Sequence, residues 1–336
     1  VVISFLEAAE ELGVLENAII YLPETGILSS LKLNTGTFKT YKRISPNAFS
    51  RLLEVIFSKF IFKNIETIVL GDIPLRGIDN QIVLVHQTNL VYPSVNSYSS
   101  KSLTFRASRF LFSINHKFAK KIIVQTGAMA ENLIKSYPKI KHKVIISPQP
   151  APNWLNKKKE SSFKGNQLKF FYPAAYYPHK KHDFLLKVNE YCIANRLELK
   201  NVKIWLTLTK KEFIPYESIK WIENLGRLNT KEMNYYYDKA DALLFLSSME
   251  SYGLPLVESL KINLPIVVVK FDYSTWLCED CAYYFQPYDE KSMLSAINRL
   301  ITDIRKNKEV NYDKVLEKFP NSWDCVVTVF EKALNE

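Results

Sequence analysis

The chain has 336 residues, 47% of them hydrophobic and 24% charged, with a formal net charge of +11; this excludes a disordered segment and suits two domains of ordinary size. Four cysteines (Cys192, Cys278, Cys281, Cys325) are too few for a disulfide scaffold and point to a reducing compartment, with the lone Cys278-x-x-Cys281 pair read as small buried hydrophobes. No run approaches the roughly 18 consecutive apolar residues of a membrane span, and no basic segment with a cleavage site opens the sequence.

Residues 1–12 read as a helix with Val2, Phe5, Leu6, Ala9 and Leu12 on one face and Gly13 as its stop. A domain of this kind normally opens on a strand, so a strand and its loop are expected upstream of Val1. Strands are predicted over 18–22, 66–70, 81–85, 121–124 and 143–146. Helices are predicted over 47–62, with Leu52, Leu53, Ile56, Phe57 and Phe60 inward, and over 103–120 and 129–137. Strands alternating with helices predict a parallel sheet. From Lys101 to Lys143 there are ten basic residues against one acid, Glu131. A solvated helical face explains such a run. An anionic membrane surface is the sharper reading, and is favoured over nucleic acid because no nucleic-acid module accompanies the charge.

Residues 150–162 are rich in proline, then in charged and polar side chains, and read as a linker. The alternation then restarts. Strands are predicted over 168–172, 202–207, 219–225, 242–246, 266–270 and 282–285, with helices over 183–195, 231–238, 256–261 and 291–306. A helical tail over 312–334 is interrupted near Pro320. Two doubly wound halves joined by a linker predict ligand binding at the C-terminal strand ends.

The most informative stretch is Ser247 to Glu258. A buried strand runs into Glu250-Ser251-Tyr252-Gly253-Leu254-Pro255, then into an amphipathic helix carrying Glu258. Pro255 suits a first helical turn, and Gly253 permits a sharp entry. The result is a helix N-terminus at a strand's C-terminal edge, a phosphate-binding arrangement. Its two carboxylates are placed to accept bonds from hydroxyls on either side of a phosphate. The chain has 9 glycines, where average usage gives roughly 24; beyond residue 150 only Gly165, Gly226 and Gly253 occur. Upstream, Tyr176-Tyr177-Pro178-His179-Lys180-Lys181-His182 follows the first strand of the second half. A lysine there is a suitable counter-ion for a diphosphate leaving group; on its own it reads better as a surface lysine. His179 and His182 lack the further ligands of a metal set.

These residues carry a resemblance. Glu250 to Glu258 resembles the E-x7-E signature of retaining glycosyltransferase family 4, whose fold is GT-B: α/β, two Rossmann-like doubly wound domains facing across a cleft. Residues 177–182 are similar to a Tyr-Pro-His-Lys-Asn-His variant in bacterial members. Segments 121–126, 224–228, 235–241 and 281–287 resemble family stretches in the same order. The resemblance implies a metal-independent hexosyltransferase without cofactor. It assigns nucleotide ribose hydroxyls to Glu258, donor-sugar hydroxyls to Glu250, and phosphate and sugar contacts to the amides of Ser251, Tyr252, Gly253 and Leu254. Lys180 would neutralise the leaving diphosphate, with Lys181 as alternative. His86 would face the transferred sugar, and Arg227 would lie near the base. The family's arginine before the phosphate lysine is replaced here by Ala174 (or Ala175 if Lys181 acts).

The expected layout is an acceptor-side domain over 1–152, a nucleotide-sugar domain over 153–318, and a C-terminal helix over 319–336 returning to the first domain. The expected function is transfer of a sugar from a nucleotide donor to a glycan or lipid-linked acceptor in bacterial O-antigen or capsule synthesis. Its place would be the cytoplasmic side of the inner membrane, in peripheral contact with anionic lipid and without a nucleic-acid partner. A GT-B epimerase or hydrolase and a non-catalytic sugar-nucleotide binder are the alternatives.

Overall fold

The computed structural model describes residues 1–31, 39–43, 48–62, 65–92, 103–152, 154–155, 167–308 and 310–336. Lys101, Gly165 and linker residues 156–162 lie outside the described residues.

In chain order the elements are α1 (Val2–Glu11), β1 (Ile19–Pro23), β2 (Lys39–Arg43), α2 (Ala48–Phe62), β3 (Thr67–Val69), β4 (Gln81–Val85), α3 (Thr88–Val91), α4 (Leu103–Asn115), β5 (Ala119–Val124), α5 (Gly127–Ser136) and β6 (Val144–Ile146). There follow β7 (Leu168–Tyr172), α6 (Phe184–Ala194), β8 (Val202–Leu206), α7 (Lys210–Phe213), β9 (Ile222–Asn224), α8 (Thr230–Lys239), β10 (Ala242–Phe245), α9 (Leu254–Lys261) and β11 (Ile266–Val269). The chain continues through α10 (Asp272–Cys278), β12 (Tyr283–Phe285), α11 (Glu290–Arg305), α12 (Asp313–Leu316) and α13 (Trp323–Asn335). Two compact units result: Val1–Pro150 with Phe319–Glu336, and Ala151–Lys318.

In the first unit β3-β4-β5-β6 form a parallel sheet, and β1 and β2 pair separately, also parallel. Every residue of β4 is buried, as expected for a central parallel strand covered on both faces. Ile82, Leu84 and Ile123 join one cluster with Phe5, Leu6, Ala8 and Ala9 of α1 and Val326, Val327, Phe330 and Ala333 of α13. Phe5 and Phe330 meet at 4.7 Å between ring centroids, so the last helix of the chain belongs to the core of the first unit.

A second cluster holds Val55 of α2 with Leu75 and Ile78, and Phe62 and Leu111 of α4 pack against it. Here the structure corrects the expected inward face of α2: Leu53, Ile56, Phe57 and Phe60 are exposed. The helix is apolar nearly all round, so periodicity alone does not identify the buried face. The helix expected over 103–120 ends at Asn115, and Ala119 and Lys120 already belong to β5. Phe112 is buried and Phe110 exposed.

The second unit has one six-stranded parallel sheet in the order β12-β11-β10-β7-β8-β9. Its inner strands β10 (Ala-Leu-Leu-Phe) and β11 (Ile-Val-Val-Val) are buried throughout. The strand order reverses at β7, the first strand of the unit, which lies between β10 and β8. Such a switch point sets the loops leaving β7 and β10 side by side, and open α/β sheets bind ligands there.

Candidate functional site

The loops after β7 and β10 are stitched together. The His179 carbonyl accepts from the Ser248 amide at 2.7 Å and from the hydroxyls of Ser248 and Ser247 at 3.2 and 3.3 Å. The Tyr172 hydroxyl donates to the Lys180 carbonyl, and that of Tyr273 to the Ser247 carbonyl at 2.5 Å. Thus the backbone on both sides is fixed by one backbone bond and by the hydroxyls of Ser247, Ser248, Tyr172 and Tyr273. Lys180 then extends its ammonium to Glu250 Oε1 at 2.5 Å, the two side chains being 16% and 12% exposed. Its Nζ also stands 5.4 Å from the centroid of the Phe245 ring. Residues seventy positions apart in sequence form a charge-assisted pair because their strands are neighbours.

Gly253 caps α9 with φ +76°, a conformation that disfavours side chains. A β-carbon there would stand 3.2 Å from Leu277 Cδ1. Pro255 lies in the first turn, where its missing N–H costs nothing. Tyr252 is buried, Ser251 half-buried and Leu254 exposed. The N-terminus of α9 therefore follows Glu250 within four residues, and its positive dipole end lies beside the Lys180–Glu250 pair.

Glu258, eight positions after Glu250, is only 6% exposed. Its Oε2 accepts from the Tyr237 hydroxyl at 2.5 Å. Burial pushes its carboxyl up to about 7, against the bond from Tyr237, which favours the ionised form. Tyr237 is itself fully buried, edge-on to Phe171 at 5.1 Å.

Lys181 sits in the left-handed region with φ +54°, its ammonium 5.6 Å from the Tyr288 ring centroid. His182 is buried, and its imidazole is pushed down to about 4, chiefly by desolvation and then by Lys180. Ala174, where the resemblance would place an arginine, is buried, and its carbonyl accepts from Thr207 Oγ1 at 3.4 Å.

Arg227 follows β9 and the left-handed Gly226, and its Nη2 reaches both oxygens of Glu212 at 3.2 Å. β9 is three strands from β10, roughly 14 Å at ordinary strand spacing. Arg227 nevertheless lies close enough to His182, in the loop after β7, to lower its imidazole further. His86 belongs to the first unit, at the C-terminal end of β4. Asp72 holds it there: Oδ1 accepts the amides of His86 and Gln87 at 2.7 Å each, and Oδ2 lies 3.4 Å from the ring Nε2.

Sequence alone gives Tyr237, Asp72 and the Ser247–Ser248 pair no role in the site, although Tyr237 and the serines lie in segments it singles out. Tyr237 stands in a run of three tyrosines, and only the helix phase shows that it, not the exposed Tyr235, points inward. Asp72 lies two residues past the strand predicted over 66–70 and carries no motif of its own.

The fold is of the GT-B class. Sucrose-phosphate synthase from Thermosynechococcus elongatus superposes with a TM-score of 0.71 at 11% identity, covering 98% of this chain and 91% of that one. WaaG, described as a glycosyltransferase involved in lipopolysaccharide biosynthesis, superposes with 0.65 at 13% identity, covering 99% and 94%. More particularly, residues 155–314 match the family model described as Glycosyl transferases group 1. Among curated proteins, the O-antigen chain mannosyltransferase RfbU of Salmonella typhimurium is 23% identical over 225 residues. That match takes in 66% of this chain and 61% of the relative's length.

Proposed function

We propose that the protein is a retaining glycosyltransferase of the family 4 type, moving a hexose from a nucleotide sugar to a glycan or lipid-linked glycan in bacterial surface-polysaccharide synthesis. The observation that carries this reading is the Lys180–Glu250 pair at the switch point, next to the Gly253-capped helix whose next turn holds Glu258. In this reading the diphosphate lies against the amides of Ser251 to Leu254, and Lys180 turns from Glu250 to the phosphate. Glu250, released, accepts hydroxyls of the sugar; Glu258 accepts those of the ribose. The bond from the anomeric carbon to the phosphate oxygen breaks, the acceptor oxygen bonds to that carbon on the same face, and the acceptor's proton passes to the departing phosphate. The nucleoside diphosphate leaves with its charge countered by Lys180, with Lys181 adjacent, and by the helix dipole. The resemblance assigns the transferred sugar to His86 and the base end of the nucleotide to Arg227. No metal is needed in this scheme. RfbU and WaaG, from their descriptions, act in O-antigen and lipopolysaccharide synthesis, which supports an acceptor of that chemical class. Incubation of a panel of radiolabelled nucleotide sugars with bacterial lipid extract tests the proposal. One donor is expected to label the lipid fraction, and Glu250→Ala to abolish labelling while circular dichroism is unchanged. Wild-type turnover by that variant would remove the assignment.

A further inference from the structure

In the first unit one side chain joins the loops that leave β3 and β4. The two strands are parallel neighbours, so both chains emerge at the same end of the sheet. Pairing continues past β3: the Asp72 amide donates to the Leu84 carbonyl at 3.2 Å, and the Ile73 amide to the Gly71 carbonyl at 2.9 Å. The chain turns there with Asp72 at φ +70°. That is the left-handed region, which residues other than glycine seldom occupy, aspartate and asparagine being among the usual exceptions. Backbone held in such a conformation persists where its surroundings demand it, and it clusters at functional sites.

The two oxygens of the Asp72 carboxylate have separate tasks. Oδ1 takes the amides of His86 and Gln87 at 2.7 Å each, and so orients the backbone that leads into α3. Oδ2 faces His86 Nε2 at 3.4 Å. A loop cap needs only the first task, and an amide side chain performs it equally well. The second task is particular to a carboxylate, which accepts hydrogen bonds and does not donate them. The ring nitrogen that faces it is therefore the protonated one, and in a neutral imidazole the other nitrogen, Nδ1, is left as an acceptor. The carboxylate is largely withdrawn from water, while the His86 side chain is 45% exposed. The ring is thus held at one nitrogen and accessible elsewhere.

We propose that Asp72 is a positioning residue for His86: through Oδ2 it keeps the ring proton on Nε2 and so presents Nδ1, unprotonated, to a hydroxyl of the transferred sugar. An acceptor nitrogen draws on that hydroxyl's proton and leaves its oxygen more negative. This favours the positive charge that builds at the anomeric carbon as the phosphate departs. The inference rests on the role of His86 in the proposed function, but the state of the ring can be read without any sugar. Asp72→Asn separates the two tasks. Its Oδ1 still accepts both amides, so the loop keeps its course. Its Nδ2 stands where Oδ2 was and can only donate, which makes Nε2 the acceptor and moves the ring proton to Nδ1.

Nitrogen NMR of the isotope-labelled full chain, at alkaline pH where imidazole is neutral, reads the tautomer directly. The chain has five histidines, and His86→Gln identifies the signal that belongs to His86. The wild type is expected to carry the proton on Nε2 and Asp72→Asn to carry it on Nδ1, at unchanged circular dichroism. In transfer assays the same variant is expected to lose about tenfold in kcat with KM for the donor unchanged, the mark of an interaction made in the transition state. A wild-type ring protonated on Nδ1, a tautomer that Asp72→Asn leaves as it was, or a reversed tautomer with wild-type kcat overturns the proposal. A wild type that transfers no sugar, yet whose tautomer reverses in the variant, fails the proposed function and keeps the coupling of Asp72 to His86. One that transfers sugar with a tautomer indifferent to Asp72 fails this inference alone.

Discussion

At the scale of residues, the ion pair between Lys180 and Glu250 is the tightest statement the site makes. Both groups are largely withdrawn from water, so each is the other's main compensation. Lys180→Ala strands a partly buried carboxylate and is expected to lower stability by about 2 kcal/mol, read as a fall in melting temperature. Glu250→Gln added to it should recover most of that loss, because the uncompensated charge has gone; a further drop would show that the pair is not the source. Glu258 makes a second prediction. Its carboxyl titrates near 7 in the folded protein against 4.5 for the free group. Below the free value both states are protonated and the group adds nothing to the pH dependence. As pH rises from about 4.5 towards 7 the unfolded chain ionises first, so stability falls, by about 3 kcal/mol in total, and levels off above 7. Glu258→Gln should flatten that slope in thermal melts at a series of pH values. Tyr237→Phe should extend the slope to higher pH, since the hydroxyl supports the ionised form. An unaltered profile in Glu258→Gln would contradict the burial argument. Both carboxylates and Lys180 were legible as residue types at telling spacings. Their contacts were not, because the partners come from other strands and helices.

At the scale of elements, the site depends on one glycine and one strand order. Gly253→Ala forces a side chain into the left-handed region and against Leu277. It is expected to cost about 1–2 kcal/mol and to weaken donor binding more than any exposed helix substitution does; a melting temperature and affinity equal to wild type would show that the turn tolerates a β-carbon. The strands of both units were readable from their buried aliphatic runs, since β4, β10 and β11 have no polar face to confuse the period. Other elements were not readable. β2, with its Lys-Thr-Tyr-Lys-Arg sequence, and the short helices α7 and α10 have neither an apolar run nor a long enough period. In α2 the helix was legible but its buried face was not. Apolar side chains occur nearly all round it, and the choice of Val55 and Ser58 as the inner face is made by the tertiary partners Leu75, Ile78 and Arg76.

At the scale of the whole molecule, the alternation of strands and helices with a break near residue 150 announced two parallel α/β halves. What the sequence could not announce is that β7 would fall between β10 and β8, and that order is what turns two distant loops into one site. The excess of positive charge was visible in the composition, but which cations are free was not. That depends on α13 supplying the Leu334 carbonyl and Glu336 to Lys120 and Lys121 from the far end of the chain. In the proposed function these two loops grip an activated sugar through its diphosphate. Titration calorimetry of UDP-, GDP-, ADP- and TDP-sugars into the wild type and into Lys180→Ala tests this most directly. At least one of these donors is expected to bind the wild type, raise its melting temperature, and lose most of its affinity in the variant. Equal affinity for wild type and variant, or no heat from any donor with a fully folded wild type, would contradict it.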